Sequence, residues 1–452
     1  MQDYLNDFIG LIGSISGVFV IILCLLILTN RSSYSLWLGF GFCAFMASLV
    51  SPPNDSYLSQ GDLVFPFDEL RAFGRPITVL VLLSLSLRYF SSGQNLPQKI
   101  SVPKQVLFIF ITLFVINFKI LLSGDIGFAV LNTVTIGFVW LLIMGLWKNL
   151  NYYDNLDLAT YSISFGGLLF AGSSLYQSFF DSAPLIFGNG QFVGMTNNPQ
   201  MTGLIFSFTL PSLLFNWERS KKSFFLKTTF FLGILSTFCC IYLTGSRTAL
   251  LASCICLLAY YYNRPIMLFK LILSFAFVAF VSDNIFPNIS YDFFVDSSVG
   301  GSANLATERF TNITDTRTQV WGILWSQFLE NPFFGIPLTG GRIGFGENTW
   351  LAVAATLGLL GLTPLVLFGI SSFKSIFNIN SYLFSDRNTI EKCYFSLVNA
   401  SYSVIFINSV AEAYLLGSLT FPLFCAIAYL LINAYIEKQI MVANEKSKQI
   451  FN

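Results

Sequence analysis

Apolar residues run along this chain in blocks separated by short polar breaks. The blocks are close to the roughly 20 residues needed to cross a hydrocarbon core of about 30 Å as a helix. Thirteen are expected as spans: 8–29, 34–50, 70–90, 104–122, 126–147, 158–179, 200–217, 224–243, 247–262, 265–282, 348–371, 393–412 and 417–436. The third is the least regular, because Arg71, Arg75 and Pro76 occupy its first turns. Connections are short except for 51–69, 180–199 and above all 283–347, and residues 373–392 read as a moderate polar loop. The pattern predicts an all-α fold, a polytopic membrane helix bundle of about 12–13 transmembrane helices. Residues 1–452 form one membrane domain, with 283–347 as a large periplasmic loop insertion carrying a short amphipathic helix.

Composition agrees with a membrane solvent. Residues are 54% hydrophobic and only 10% charged, against about 25% charged in soluble domains. The first apolar block has acidic flanks, Asp3 and Asp7, instead of a basic n-region, so it is read as a permanent span and not as a cleaved signal. The connection 217–227 carries Arg219, Lys221, Lys222 and Lys227 and is placed in the cytoplasm by the positive-inside rule. Alternation then puts seventeen of the 24 basic residues inside, with the N-terminus outside and the C-terminus inside. The other seven are Arg71, Arg75, Lys119, Arg247, Arg309, Arg317 and Arg342. Topology alone does not separate Arg from Lys, yet six of these seven are arginine. A guanidinium is always charged and grips phosphate oxygens through a planar fork. The competing explanation is snorkelling toward lipid headgroups.

The chain has no histidine. Imidazole bases, histidine metal sites and Ser–His triads are therefore excluded, and proton transfer falls to a carboxylate, Lys, Tyr or Cys. The eight cysteines all fall inside expected spans, where they read as small apolar residues and not as a metal cluster. No metal or cofactor is expected. Net charge is near zero and no basic patch supports a nucleic-acid partner.

Four segments carry candidate chemistry. In Leu243-Thr-Gly-Ser-Arg-Thr248, Gly245 permits a bend between two helices and Ser246 caps the second. Arg247 then opens a helix whose dipole disfavours a cation there, a position better explained if an anion binds both. A loop helix is expected over about 316–329, with Arg317, Trp321, Leu324 and Phe328 on one face. Residues 335–351 hold five glycines within twelve positions around Arg342, and Glu347 and Asn348 open the eleventh span. Glu347 stands where a flexible loop meets a rigid helix, and the helix N-terminus favours the ionised form that a base requires. Its alternative is a helix-start glutamate without chemistry. Residues 190–199 form an outer loop in which Asn197 and Asn198 either bind sugar hydroxyls or serve as turn residues before Pro199. Glu412, at the outer end of the twelfth span, stands ready as a partner for an arginine.

These stretches, GQFVGMTNNPQMTG (190–203), LTGSRTALLA (243–252), RTQVWGILWSQFLENPFFGIPLTG (317–340) and GENTWLAVAATLGLLGL (346–362), occur in an order that resembles the O-antigen polymerase and O-antigen ligase superfamily, membrane glycosyltransferases of the GT-C type. The resemblance covers roughly residues 190–370, and the N-terminal third agrees only in hydropathy. It implies a lipid-linked oligosaccharide substrate, carried on undecaprenyl pyrophosphate in the bilayer of the bacterial inner membrane, and a site facing the periplasm. Arg247 and Arg317 match the family's pyrophosphate-holding arginines. Arg342 and the pair Arg71 and Arg75 are candidates to assist them, and Asn197, Asn198 and Asn348 are candidates for sugar contacts. Ligases carry a His-Asn pair where this chain has Glu347-Asn348. A carboxylate there suits a polymerase with Glu347 as catalytic base, and a chain-length regulator protein is a possible partner. The alternatives are an O-antigen ligase acting on lipid A core or protein and, from another class, a transporter or flippase. A transporter would place charge at mid-depth in repeated halves. The expected spans carry almost no charge at mid-depth, and no internal repeat is found.

Overall fold

The structure, a computed structural model, describes residues 10, 13–49, 63–91, 102–153, 155–186, 191–196, 198–220, 223–273, 317–337, 348–383, 392–416 and 419–451. Its helices are α1 (Ile15–Thr29), α2 (Ser33–Leu49), α3 (Phe67–Ala72), α4 (Gly74–Ser91), α5 (Lys104–Leu122), α6 (Ile126–Tyr153) and α7 (Leu156–Phe180). They continue with α8 (Pro199–Arg219), α9 (Phe224–Thr244), α10 (Arg247–Tyr261), α11 (Arg317–Glu330), α12 (Thr349–Leu383), α13 (Lys392–Ala411) and α14 (Phe421–Phe451). A further helical segment covers 265–273. Seven of these helices are long and apolar enough to cross a membrane, and α1, α2 and α10 are shorter apolar helices. The chain is an all-α, multi-pass membrane protein. Helix is what such residues must form, since hydrocarbon offers no partner for an open backbone N–H or C=O.

Burial separates the centre of the bundle from its periphery. In α14, 83% of the membrane window lies inside the protein, against 22% in α6. Every residue of α8 from Thr202 to Asn216 is buried. Helices buried all round carry no amphipathic stripe. Around them, α10 packs on α13 and α8, α2 on α7, and α5 on α12. Pro211 interrupts the backbone ladder of α8, and the Tyr429 hydroxyl of α14 bridges the gap. It accepts from Ser212 N at 3.1 Å and donates to Phe208 O at 2.8 Å.

At one end of the bundle the basic residues expected inside are tied to helix termini. Arg219 Nε lies 2.9 Å from Asp157 Oδ1, Arg264 Nη1 lies 2.8 Å from Glu218 Oε1, and Arg88 donates to Ser32 O and Ser35 Oγ. The ends of α4, α8 and α10 and the starts of α2 and α7 therefore share one side, as the alternation of spans requires.

Four expectations change in detail. The third span does not begin at residue 70: Arg71 sits on the separate helix α3, and α4 starts at Gly74. The polar stretch from 373 is not a loop up to 383, because α12 continues through it. There Ser375 and Asn378 donate to Glu437 of α14, and Asn380 and Asn399 bond reciprocally. The helices α6 and α14 also outrun their expected ends. Finally, α12 is broken at Gly358, which adopts φ 63° and ψ −155°. Of the expected loop 283–347, the described part is 317–337.

A close backbone crossing joins α2 and α7. A Cβ added to Gly41 would lie 2.4 Å from the Ser162 carbonyl oxygen, and one added to Gly166 would lie 2.9 Å from that of Gly41. Small residues allow such backbone approach where no hydrophobic force drives helices together. Gly41→Leu is expected to lower unfolding stability in detergent by about 1–3 kcal/mol through overpacking. Gly137→Leu, where an added Cβ meets nothing within 4 Å, is expected to be neutral. Equal stability of the two variants in an SDS titration would refute this account of the crossing.

Candidate functional site at the arginine rim

The opposite end of the bundle gathers the sequence motifs. Chain reversal between α9 and α10 uses Gly245 in the left-handed region, at φ 61°, a conformation that costs glycine nothing. Ser246 caps α10, its Oγ accepting from Ala249 N at 3.4 Å. Arg247 is the first residue of α10 and is exposed, while Thr248 beside it is buried.

The segment 191–196 is stitched over this turn. Gln191 Nε2 donates to Thr244 O at 2.9 Å, and Phe192 N to Leu243 O at 3.1 Å. Asn198 then caps α8, its Oδ1 accepting from Gln200 N and Met201 N. The start of α8 lies against the start of α10, for a Cβ on Gly203 would sit 2.7 Å from that of Ala249.

From the loop side, Arg317 opens α11. Its Nη1 donates to Thr248 Oγ1 at 2.7 Å and its Nη2 to Glu412 Oε1 at 3.0 Å. Glu412 follows the last turn of α13, with its N donating to Asn408 O. Its carbonyl oxygen accepts from Thr349 Oγ1 at 2.7 Å. Thr349 is the first residue of α12, which Asn348 caps through bonds from Trp350 N and Leu351 N. The expected face of α11 is also present: Leu324 is buried, Trp321 and Phe328 are half-buried, and Ile323 and Trp325 face outward.

Four stretches distant in sequence thus meet at one rim. Four helices, α8, α10, α11 and α12, begin there, each presenting the positive end of its dipole. Two of them begin on arginine. Helix dipoles and guanidinium charges gathered in this way favour an anion, and Glu412 supplies a negative charge among them. The rim is therefore biased toward negative charge, part of which Glu412 supplies.

The sequence candidates divide accordingly. Arg247, Arg317, Asn198 and Asn348 lie at this rim. Asn198 and Asn348 both spend their side-chain oxygens on helix caps, the turn-residue alternative for Asn198. Arg71 and Arg75 lie on α3 and at the start of α4, which packs on α1, α2 and α6, whereas α10 packs on α8 and α13. Asn197, Arg342 and Glu347 fall outside the described residues. Thr248, which receives the Arg317 fork, was not singled out by the sequence, and no periodic or charge signal marks it.

Fold and rim together define a multi-pass membrane protein with an anion-favouring site at one end of its helix bundle. The family described as O-antigen ligase matches residues 231–366, and over that stretch the chain is similar to it, which supports the resemblance to the O-antigen ligase and polymerase superfamily. Members of that family are glycosyltransferase-like enzymes. The match takes in Arg247, Arg317 and the start of α12 but ends before Glu412 and begins after Arg71, Arg75 and Asn198. No individually curated protein matches the chain.

The ion pair makes a measurable demand. Arg317→Met and Glu412→Gln are each expected to destabilise the folded protein, with a coupling of about 1 kcal/mol in a double-mutant cycle. Reversible unfolding in detergent measures it; strict additivity would remove the fork from the account of the rim.

Proposed function

We propose that the protein polymerises undecaprenyl-pyrophosphate-linked oligosaccharide repeat units into a surface polysaccharide by inverting glycosyl transfer. The observation that carries this reading is the Arg317 fork. It joins the Arg247 turn, the loop helix and, through Glu412, the helix start that follows Glu347. A growing chain on undecaprenyl pyrophosphate is the donor, and an incoming lipid-linked repeat is the acceptor. Glu347 takes the proton of the acceptor hydroxyl as its oxygen bonds to the anomeric carbon. The bond from that carbon to the pyrophosphate oxygen breaks, and the departing diphosphate gains charge. Arg247 and Arg317, with the N-termini of α10 and α12, stabilise that charge. Preorganised donors of this kind contribute a few kcal/mol each where water is excluded. Arg342 is their candidate assistant, and receiving the second lipid-linked diphosphate is left to Arg71 and Arg75. The site faces the periplasm from the inner membrane, and a chain-length regulator is a natural partner.

A second reading, transfer of finished glycan to lipid A core or protein, is favoured by the description of the matching family as a ligase. The acceptor separates the two. Purified protein given a defined lipid-linked repeat alone is expected to yield a ladder of longer products on a gel. A single shifted band that requires lipid A core would select the ligase. Arg247→Ala and Arg317→Ala are each expected to cut the rate on the order of a hundredfold, and Glu347→Gln by about 10²–10⁴. Full ladders from folded forms of all three variants would sink the mechanism.

A further inference from the structure

The end of α11 is fastened to α12 and α5 in a way that fixes its depth. The chain after Glu330 runs through Asn331-Pro-Phe-Phe-Gly-Ile336 along the break in α12. Ile336 N donates to Ala355 O at 2.9 Å, Leu359 N to Pro332 O at 2.7 Å and Leu360 N to Phe333 O at 3.3 Å. The two backbones touch: a Cβ on Gly335 would lie 2.3 Å from the Thr356 carbonyl carbon, and one on Gly358 would lie 2.4 Å from that of Phe333. Lys119 closes the clasp, its ammonium donating to Phe334 O at 2.5 Å and also to Thr356 O.

Lys119 gives the vertical scale. The helix α5 holds 19 residues and carries the highest hydropathy of the seven long spans. Nineteen residues rise about 28 Å, the thickness of one hydrocarbon core. The boundary on the rim side therefore lies near Leu122, and Lys119 sits within one turn of it. Phe334 shares that level. Thr349, level with Arg317 and Glu412, lies seven residues above Thr356 along α12, or about 10 Å farther out. The helix α11 consequently slopes from the rim down to the hydrocarbon boundary.

Its outward face is apolar. Ile323, Trp325, Leu329, Phe333 and Phe334 are between 50% and 72% exposed. Leu121 and Leu122 of α5 and Leu359 and Leu360 of α12, also exposed, lie at the same level. We propose that α11 and the segment to Ile336 form an in-plane membrane limb. Phe333 and Phe334 enter the acyl chains, Trp325 and Leu329 lie in the headgroup layer, and Lys119 pins the limb at that depth. Aromatic and aliphatic residues on one face of a sloping helix suit that boundary. An ammonium suits the pin, because it offers three donors to neutral carbonyls from a compact charge. The partner is the bulk bilayer, and the inference holds whichever glycan reaction the rim performs.

Nitroxide labels at Gln319→Cys, Leu329→Cys and Phe334→Cys, in a chain with its eight cysteines replaced by alanine, test this in lipid nanodiscs. Power saturation with oxygen and with a water-soluble nickel chelate reads depth. The expected result is a gradient, with the oxygen-to-nickel collision ratio at 334 on the order of five-fold above that at 319. High nickel collision at 334 would mean water, and low collision with both reagents would mean a protein cover; either result overturns the limb. Adding Lys119→Met to the Phe334→Cys chain is expected to raise nickel collision at 334, and no change there would remove the pin. Lys119→Arg, keeping the charge, is expected to restore most of the gradient.

Discussion

Everything at the rim depends on one guanidinium with two partners. Arg317 reaches Thr248 at the start of α10 and Glu412 at the end of α13, whose carbonyl holds Thr349 at the start of α12. These bonds hold in place the front of a helix that is otherwise attached to the bundle through its packing on α12 and the clasp behind it. They also answer an electrostatic problem. Cations on the first residues of α10 and α11 are opposed by both dipoles, and four helix N-termini share the place. The Glu412 carboxylate relieves part of that opposition. A diphosphate would relieve more, because it carries more charge and more acceptor oxygens, and the glycan-transfer reading rests on this imbalance.

A second constraint acts in the body of the bundle, where each backbone group needs a partner. Among the described residues, α8 and α12 are interrupted, and they are repaired differently. At Pro211 the gap is small and central, and one buried hydroxyl, Tyr429, joins a donor to an acceptor. At Gly358 the gap is at the edge and wide enough to admit another stretch of chain, so the segment after α11 supplies carbonyls to Leu359 and Leu360, and Lys119 and Ile336 supply donors to Thr356 and Ala355. The first repair stays within the helix core. The second turns a helix defect into the attachment point of the loop.

How much of this could be read from the sequence follows from how local each cause is. Spans are local, since twenty apolar residues suffice, and most of the helices lie where the blocks predict. The Gly245-Ser246 turn is local too, as its conformation and cap depend on adjacent residues. The buried face of α11 follows from helical period alone. Non-local causes stayed hidden. Residues 373–383 look like a loop because they are polar, and they remain helical because Glu437 and Asn399 lie across from them. Gly358 inside a helical stretch costs only about 1 kcal/mol relative to alanine, so nothing marks it as a break until Phe333 is found beside it. Of the candidate arginines, residue type indicated anion chemistry in all, but type does not specify place. Arg71 and Arg75 stand on α3 and at the start of α4, Arg247 and Arg317 at the starts of α10 and α11.

The exception among the seven outward bases is informative for the same reason. Six are arginine, and the two described at the rim open helices, Arg317 facing a hydroxyl and a carboxylate oxygen. The seventh, Lys119, faces two backbone carbonyls at the edge of the hydrocarbon. A planar fork matches two oxygens of one phosphate or carboxylate, whereas carbonyls from two separate chain segments meet at angles that the chain dictates. A compact ammonium with rotatable donors fits the second case better. At these two positions the choice of cation follows from the acceptors: a fork at Arg317, which reaches a hydroxyl and a carboxylate oxygen, and an ammonium at Lys119, which meets carbonyls of two chain segments.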